Sequence, residues 1–351
     1  MILATKQDVH ILVDLAFLHQ EQWSGGKSRS VKLYETLADA GFTLTEMVEP
    51  VRDSKWKMLL WSLQAILKFG IFKPFCVASL RTSGYNYYRY HYFVRQYPQV
   101  NRFLIEGTGF GTVQVAAYLK SIHKKVYFVP CNIESLAPYP DAWTHQIEAI
   151  DRLKVELKYY QLANACFCIS LEEVWLLNTL GAKAFFLPHT PPKQLMEKIQ
   201  IRKQQRNSIA QKEGYLYFAN FFNSPNFLGF QNFIAEQKYI GKKIKVAGLG
   251  IEKILPLVKD IAAFEVLGTI SDEELEQQLV HCEKVILHHY PTSGILTRVP
   301  ELLLSGIPIE GNVDALKEYL FVSTTNEQDL FQHLINISTE AEHQFIKTIS
   351  N

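Results

Sequence analysis

Several large functional classes lack support because this sequence is short of what they need. Its formal net charge is +1 over 351 residues, so no excess of one sign draws it toward nucleic acid. Only five cysteines occur, Cys76, Cys131, Cys166, Cys168 and Cys282, with no C-x-x-C pair and no zinc-like spacing. An odd set of free thiols suits a reducing compartment, and a cytoplasmic location is expected, with the inner face of a membrane as a peripheral option. No run of about 18 uncharged apolar residues is present, which predicts no spanning helix. The opening stretch MILATKQDVHILVDLAF carries Lys6, Asp8 and Asp14 in its apolar part, which argues against a signal peptide and for a first buried strand. There is no Asp-x-Asp pair to carry a divalent cation, so no metal and no cofactor are expected. Gly26-Lys27-Ser28 looks like the end of a P-loop. However, that loop needs glycine where Glu21 stands, and the apolar strand ending in Asp lies upstream instead of downstream.

Hydrophobic residues make up 48% of the chain and charged residues 20%, the balance of a folded protein, and the length suits two domains. VHILVDL, FTLTEMV, RFLIEG, KVYFVP, ACFCIS and AFFLP read as strands, with helical patterns such as SVKLYETLADAG and LEEVWLLNTLG between them. Such alternation predicts a parallel sheet with helices on both faces. Residues 1–187 are one domain on this reading. Residues 188–214, polar, basic and opened by two prolines, are a partly helical linker. The alternation restarts over 215–325 with YLYFAN, KKIKVAG, FEVLG, KVILHH and IPIEGN, and 326–351 is a final helix that packs back on the first domain. Two such sheets facing each other would leave a cleft at the carboxyl ends of their strands, where open α/β sheets bind ligands.

The richest stretch is HHYPTSGILTRVPELLLSGIPIEGN, residues 288–312. A strand running into Ser293-Gly294, with a helix from about Ile295, would aim free N–H groups and a positive dipole end at a diphosphate. Leu296, Val299 and Leu303 share one face of that helix; Thr297, Arg298 and Glu301 share another, and Glu301 could accept from ribose hydroxyls or be an ordinary surface carboxylate. Gly25 and Gly26 would let backbone approach a ligand at the first switch of the other sheet. Lys27 is either a phosphate contact or a solvated charge at a helix start.

SGILTRVPELLLSGIPIEGN resembles the donor-binding segment of GT-B glycosyltransferases of the family-4 type. In the same order, SGGKSRSVKLYETLADAGFTLT is similar to their N-terminal glycine loop and helix, and KVYFVPCNIESL to the strand ending in His-Asn-Ile-Glu. CISLEEVWLLNTLGAKAFFLPHT, YLYFANFFNSPNFLGFQNFI and FEVLGTISDEELEQQLVHCEKVILHH follow as they do in that family. The resemblance covers most of the chain. It implies an α/β GT-B fold of two facing Rossmann-like domains, and a metal-independent, retaining transfer of sugar from a nucleotide-diphosphate donor, UDP- or GDP-type, to a glycan, lipid-linked or protein acceptor.

It further implies that Gly268, Thr269 and Ile270 lie near the base, Ser293, Gly294 and Ile295 at the phosphates, and Glu301 at the ribose. Gly25, Gly26 and Lys27 would approach from the other domain, and Asn132 or Glu134 would take a catalytic role, with Cys131 standing where that family has His. Ser293 replaces a first glutamate. Asn220, Asn223 and Asn226 stand where Arg and Lys commonly grip the diphosphate, and Arg298 is the nearest cation by sequence. A catalytically silent GT-B-like subunit of a larger complex is therefore the alternative.

Four further stretches remain, and the first two have two readings each. KWKMLLWSLQAILKFGIFKPF, residues 55–75, is a core-facing helix with snorkelling lysines or an interfacial one near a lipid-linked acceptor. YNYYRYHYFVRQY, residues 85–97, is an aromatic packing face or a sugar-stacking one. EGTGFGT, residues 106–112, is not a G-x-G-x-x-G fingerprint, which leaves a nicotinamide-dependent oxidoreductase without support. His288 and His289, adjacent in a strand, would point to opposite faces and so do not share one ion.

Overall fold

The computed structural model describes residues 9–20, 24–47, 55–69, 77–107, 114–136, 146–317, 319 and 327–351. Most of EGTGFGT, the stretch 70–75 and the side chain of Glu134 lie outside the described residues. The chain divides into two compact units. Unit 1 comprises Met1–Ala137, Asp141–His189 and Ile337–Asn351; unit 2 comprises Thr190–Asn336 with Pro138–Pro140.

Unit 1 is a six-stranded parallel sheet of β1 (His10–Asp14), β2 (Thr43–Glu46), β3 (Arg102–Glu106), β4 (Lys125–Val129), β5 (Ala165–Cys168) and β6 (Ala184–Phe186), in the order β2-β1-β3-β4-β5-β6. Its helices are α1 (Gly25–Asp39), α2 (Lys55–Phe69), α3 (Val77–Gln96), α4 (Val115–Ser121), α5 (Gln146–Tyr160) and α6 (Leu171–Thr179). The strands read as unbroken apolar runs because both faces are covered. Leu12, Phe103, Ile105, Val126, Phe128, Cys166 and Cys168 point into one core with α3, α4 and α6. Ile11, Val13, Leu104, Tyr127, Val129 and Phe167 point the other way, against Leu33 and Leu37 of α1.

Unit 2 has β7 (Tyr215–Phe218), β8 (Ile244–Ala247), β9 (Phe264–Gly268), β10 (Lys284–Leu287) and β11 (Ile309–Gly311), again all parallel, in the order β11-β10-β7-β8-β9. Its helices are α7 (Lys193–Ser208), α8 (Ser224–Ala235), α9 (Leu255–Val258), α10 (Asp272–His281), α11 (Arg298–Leu304) and α12 (Val313–Leu316). The polar stretch 188–214 holds α7. Leu195, Ile199, Arg202 and Arg206 recur at helical spacing along its buried face.

A last helix, α13 (Glu327–Ser350), has Leu334 against the apolar cluster of unit 2 and Phe345 and Ile349 in the second core of unit 1. Among the described residues no helix is long and apolar enough to cross a membrane. The chain thus has the α/β architecture of two parallel-sheet units that its strand–helix alternation predicts.

Two glycines set how closely the elements of unit 2 approach. A Cβ on Gly229 of α8 would lie 2.4 Å from the His288 carbonyl oxygen, so this helix rests directly on the chain leaving β10. Gly248, at φ +139° after β8, leaves no room at all: its Cβ would sit 1.8 Å from the Ala219 oxygen.

Candidate functional site

In unit 2 the strand order reverses between β7 and β10: β8 and β9 extend from one side of β7, while β10 and β11 lie on the other. The crevice outside the carboxyl ends at such a reversal is where open α/β sheets take ligands. Asn220 follows β7 there, and Ser293 and Gly294 follow β10.

Arg298 sits at this reversal. Its Nη1 donates to the Phe218 carbonyl at 2.6 Å, and its guanidinium lies over the Phe218 ring at 5.1 Å from the centroid. Burial pushes its pKa below the ordinary arginine value, with Tyr217 and Glu301 holding it back. Among the described residues Arg298 makes no ion pair. A half-buried cation without a counter-ion is costly unless an anion joins it. The guanidinium thus sits at the end of the first strand of unit 2. The sequence had suggested only that Arg298 was near in number.

The helix that was expected from about Ile295 begins three residues later. Ser293, Gly294 and Ile295 form an irregular approach, Thr297 is the N-cap without a side-chain bond, and α11 has seven residues. Pro300 explains the short first turn: it has no N–H to bond, which is harmless only in a helix's opening residues. The backbone N–H groups of 293–295 are thus presented by a loop. Lys317 ties that loop down by donating to the Thr292 carbonyl, and Asn312 clips His289 with bonds to both its N–H (3.1 Å) and its carbonyl (2.8 Å). His288 and His289 are both buried, which lowers each imidazole to about 4; Lys238 adds to the effect at His288, and Arg298 and Lys317 at His289. Both are neutral near pH 7. Among the described residues no group of three His, Cys, Asp or Glu could hold a metal ion.

Glu301 is not an unengaged surface carboxylate. Its Oε1 accepts from Arg202 Nη2 at 2.9 Å. Arg202 is 1% exposed and also grips Glu276 with Nε (2.8 Å) and Nη2 (2.6 Å), and Ser305 Oγ with Nη1 (3.0 Å). The Glu301 side chain stays partly exposed while Arg202 holds one of its oxygens. Arg202 was missed by the motif reading, although the stripe Leu195, Ile199, Arg202, Arg206 carried the signal. Arg206 is buried as well and donates to the carbonyls of Leu279, Val280 and Cys282 at the end of α10.

Asn220 uses its side-chain oxygen to accept the Phe222 N–H at 3.0 Å, an Asx turn that leads toward α8, and Asn226 donates to the Asn220 carbonyl at 3.1 Å. The asparagines of this loop build its shape. Gly268, Thr269 and Ile270 leave β9, with Thr269 Oγ1 donating to the Gly248 carbonyl at 3.2 Å. They stand three strand spacings, about 14 Å, from the loop after β10.

In unit 1, Gly25 and Gly26 are the first two residues of α1, not a turn before it, with Ser24 Oγ capping the Lys27 N–H at 3.1 Å. A Cβ on Gly26 would meet the Phe17 ring at 2.8 Å. The Lys27 ammonium donates to the Gln20 carbonyl. Asn132 is half-buried after β4. The segment around it is pinned by two carboxylates: Ile133 N–H donates to Glu173 at 3.0 Å and Ser135 N–H to Glu156 at 3.0 Å. Tyr160 also donates to Glu156 at 3.0 Å.

The reversal of this sheet lies between β1 and β3, and the carboxylates that end those two strands are both engaged by side chains. Arg89 forks onto Asp14 at 2.7 and 3.0 Å, Tyr90 OH adds a bond to the same carboxylate at 2.6 Å, and Ser30 of α1 donates to buried Glu106. The tyrosine-rich stretch 85–97 resolves in part as packing: Tyr87, Tyr90 and Phe93 are buried, and Tyr118 meets Tyr87 edge-on at 5.0 Å. The stretch 55–69 departs from the core-facing reading, since five of its large apolar side chains are exposed.

No family profile matches the chain, and no curated protein sequence does. Solved structures do. The sucrose-phosphate synthase of Thermosynechococcus elongatus matches with a TM-score of 0.63 at 12% identity, over 97% of this chain and 94% of that one. The catalytic domain of starch synthase IV from Arabidopsis thaliana, bound to ADP and acarbose, matches with a TM-score of 0.56 at 10% identity, again over 97% and 94%. At such identities the likeness speaks for the fold. Six strands and five strands in two parallel sheets, alternating with helices in the same order along nearly the whole length, give this chain the GT-B fold of the glycosyltransferases.

Proposed function

We propose that unit 2 binds a nucleotide-diphosphate sugar and that the protein transfers the sugar to an acceptor hydroxyl. The observation that carries this reading is Arg298, a half-buried guanidinium that makes no ion pair among the described residues, at the strand reversal. A diphosphate is the anion that suits it. In this assignment Arg298 and the backbone N–H groups of Ser293, Gly294 and Ile295 hold the diphosphate, Thr297 lies alongside, and Glu301, aimed by Arg202, accepts from the ribose. Gly268, Thr269 and Ile270 meet the base about 14 Å away, a span that suits an extended nucleoside diphosphate, and Asn220 shapes the floor between. Gly25, Gly26 and Lys27 of unit 1, with Asn132 and Glu134, serve the sugar or the acceptor.

In the reaction the bond from the anomeric carbon to phosphate oxygen breaks and the diphosphate keeps the electron pair. The acceptor oxygen forms the new bond and gives up its proton to the departing diphosphate. Charge grows on the leaving diphosphate, where a fixed guanidinium and N–H groups stabilise the transition state more than the bound donor. Retention of anomeric configuration without a metal belongs to the same proposal, as does a UDP- or GDP-type donor.

The test is a thermal-shift panel of UDP, GDP, TDP and ADP on the wild-type chain and Arg298→Ala. A nucleotide at 100 times its Kd adds about 2.7 kcal/mol, a rise of roughly 5–10 °C for a domain of this size. At least one nucleotide should produce it, and the variant should lose it. A flat panel on the wild type counts against the reading. Ser293 and Cys131, standing in place of a glutamate and a histidine, favour a second reading, a catalytically silent GT-B subunit. Donor hydrolysis by the pure protein separates the two.

A further inference from the structure

Helix α2 presents to solvent the face that ought to be hidden. Trp56, Leu59, Leu60, Leu63 and Leu67 are all exposed, Trp56 to 77% and Leu67 to 87%. At 3.6 residues per turn these five positions fall in one arc about 100° wide. The helix is held from elsewhere on its circumference: half-buried Trp61 packs on α3, with ring centroids 5.6 Å from Tyr87, 5.4 Å from Tyr88 and 5.1 Å from His91. A stripe of five large apolar side chains in water marks a surface that something covers.

The charge around the stripe says what covers it. Residues 55–75 contain lysines at 55, 57, 68 and 73 and no aspartate or glutamate. By helical spacing positions 55 and 57 lie about 100° to either side of the middle of the stripe, and Lys57 is exposed. An apolar stripe with a tryptophan, with Lys57 exposed beside it in a segment whose charged residues are all lysine, matches the cross-section of a lipid–water interface: acyl chains below and anionic headgroups at the rim. Fifteen residues make about 22 Å of helix, long enough to lie flat over four turns and too short to span a hydrocarbon core. We propose that α2 docks the protein on the surface of an anionic lipid bilayer, with Trp56, Leu59, Leu60, Leu63 and Leu67 in the acyl boundary and Lys57 at the headgroups. This does not depend on the assignment of a nucleotide sugar to unit 2.

The experiment is co-sedimentation of the full chain with phosphatidylcholine vesicles containing about 30 mol% phosphatidylglycerol, and with phosphatidylcholine alone. Wild type should bind the anionic vesicles at least about tenfold more tightly than the neutral ones, and about 0.5 M salt should weaken that binding. Leu63→Asp/Leu67→Asp should reduce it by about tenfold or more. Both side chains are exposed, so the variant should melt with the wild type. Lys57→Glu, which leaves the stripe intact, provides a second reading and should weaken binding to anionic vesicles only. Failure of the wild type to sediment overturns the proposal, as does equal binding to both vesicle types or by the double variant. Concentration-dependent self-association that the same substitutions abolish also overturns it, because the stripe would then cover a second copy.

Discussion

Glu106 ends β3 at the reversal of the unit 1 sheet and holds Ser30 of α1, the helix whose first residues are Gly25 and Gly26. Burial lifts its carboxyl to about 7, and the Ser30 hydrogen bond and the Arg29 charge only partly oppose that rise. A carboxyl raised above its ordinary value of 4.5 binds its proton better in the folded chain. Its contribution to stability is therefore complete below pH 4.5 and is lost as the pH climbs through 7. Linkage puts the cost of ionising the buried group at about 1 kcal/mol at pH 5.5 and about 3 kcal/mol at pH 8.5. Glu106→Gln removes the titration and keeps an oxygen for Ser30. Whatever constant offset the amide brings, the variant should gain about 2 kcal/mol on wild type between those two pH values. Urea unfolding at pH 5.5 and 8.5, followed through the transition of unit 1 with unchanged m-values, measures this directly. If the stability difference between the two proteins is the same at both pH values to within about 0.5 kcal/mol, Glu106 is not the buried acid described here.

Acid should unfold unit 2 by the opposite route. His288 and His289, each lowered to about 4 chiefly by burial, give stability that is complete above pH 6.5 and lost as the pH falls toward 4; two protons set a slope of up to about 3 kcal/mol per pH unit, and a melting temperature flat from pH 7 to 5 would contradict it. Glu301→Ala should weaken binding of whichever nucleotide shifts the melt by about tenfold, read by titration calorimetry. Arg202→Met strips two carboxylates and Ser305 of their common donor. With both carboxylates partly solvated the loss of stability should be about 2–4 kcal/mol, and nucleotide affinity should fall with it, because Glu301 is no longer aimed. Gly229→Ala must push α8 off the His288 carbonyl and should cost about 3 kcal/mol in denaturant melts of unit 2.

The sequence pattern carried the architecture because it is written locally. VHILVDL, ACFCIS and KVILHH are unbroken apolar runs bounded by polar turns, which is what a sheet covered on both faces requires, and SDEELEQQLVHC announces its own start with Ser271 and Glu274 as a capping box. Where the reading slipped, a particular contact decided, whether local or distant in sequence. Gly25 and Gly26 look like a turn until Ser24 is seen to cap the helix around them. The start of α11 moves because Pro300 suits only the opening of a helix and Arg298 is drawn to the Phe218 carbonyl, 80 residues away. The face of α2 was undecidable from its own residues; Trp61 settles it by packing on α3, which no periodicity reveals. Buried polar partnerships were least visible: Ser30 with Glu106, Arg89 with Asp14, and Arg202 with Glu276 and Glu301 join residues 74 to 99 positions apart.

The helix α13 sets an order of events during synthesis. Phe345 meets Phe167 edge-on at 4.7 Å, and the Arg102 side chain donates to the carbonyls of Ile349 and Ser350 at 2.7 and 2.8 Å. Arg102 and Ile349 are 247 residues apart. At translation rates of about 5–20 residues per second, that partner emerges roughly ten to fifty seconds after β3 does. From the emergence of β6 until residues 337–351 follow, unit 1 has its strands but not the side chains that close one of its two cores, whereas the strands of unit 2 and the helices between them follow each other without such a gap. The part of the chain made first is thus the part that finishes folding last, and a nascent unit 1 presents an open apolar face to chaperones until residues 337–351 arrive.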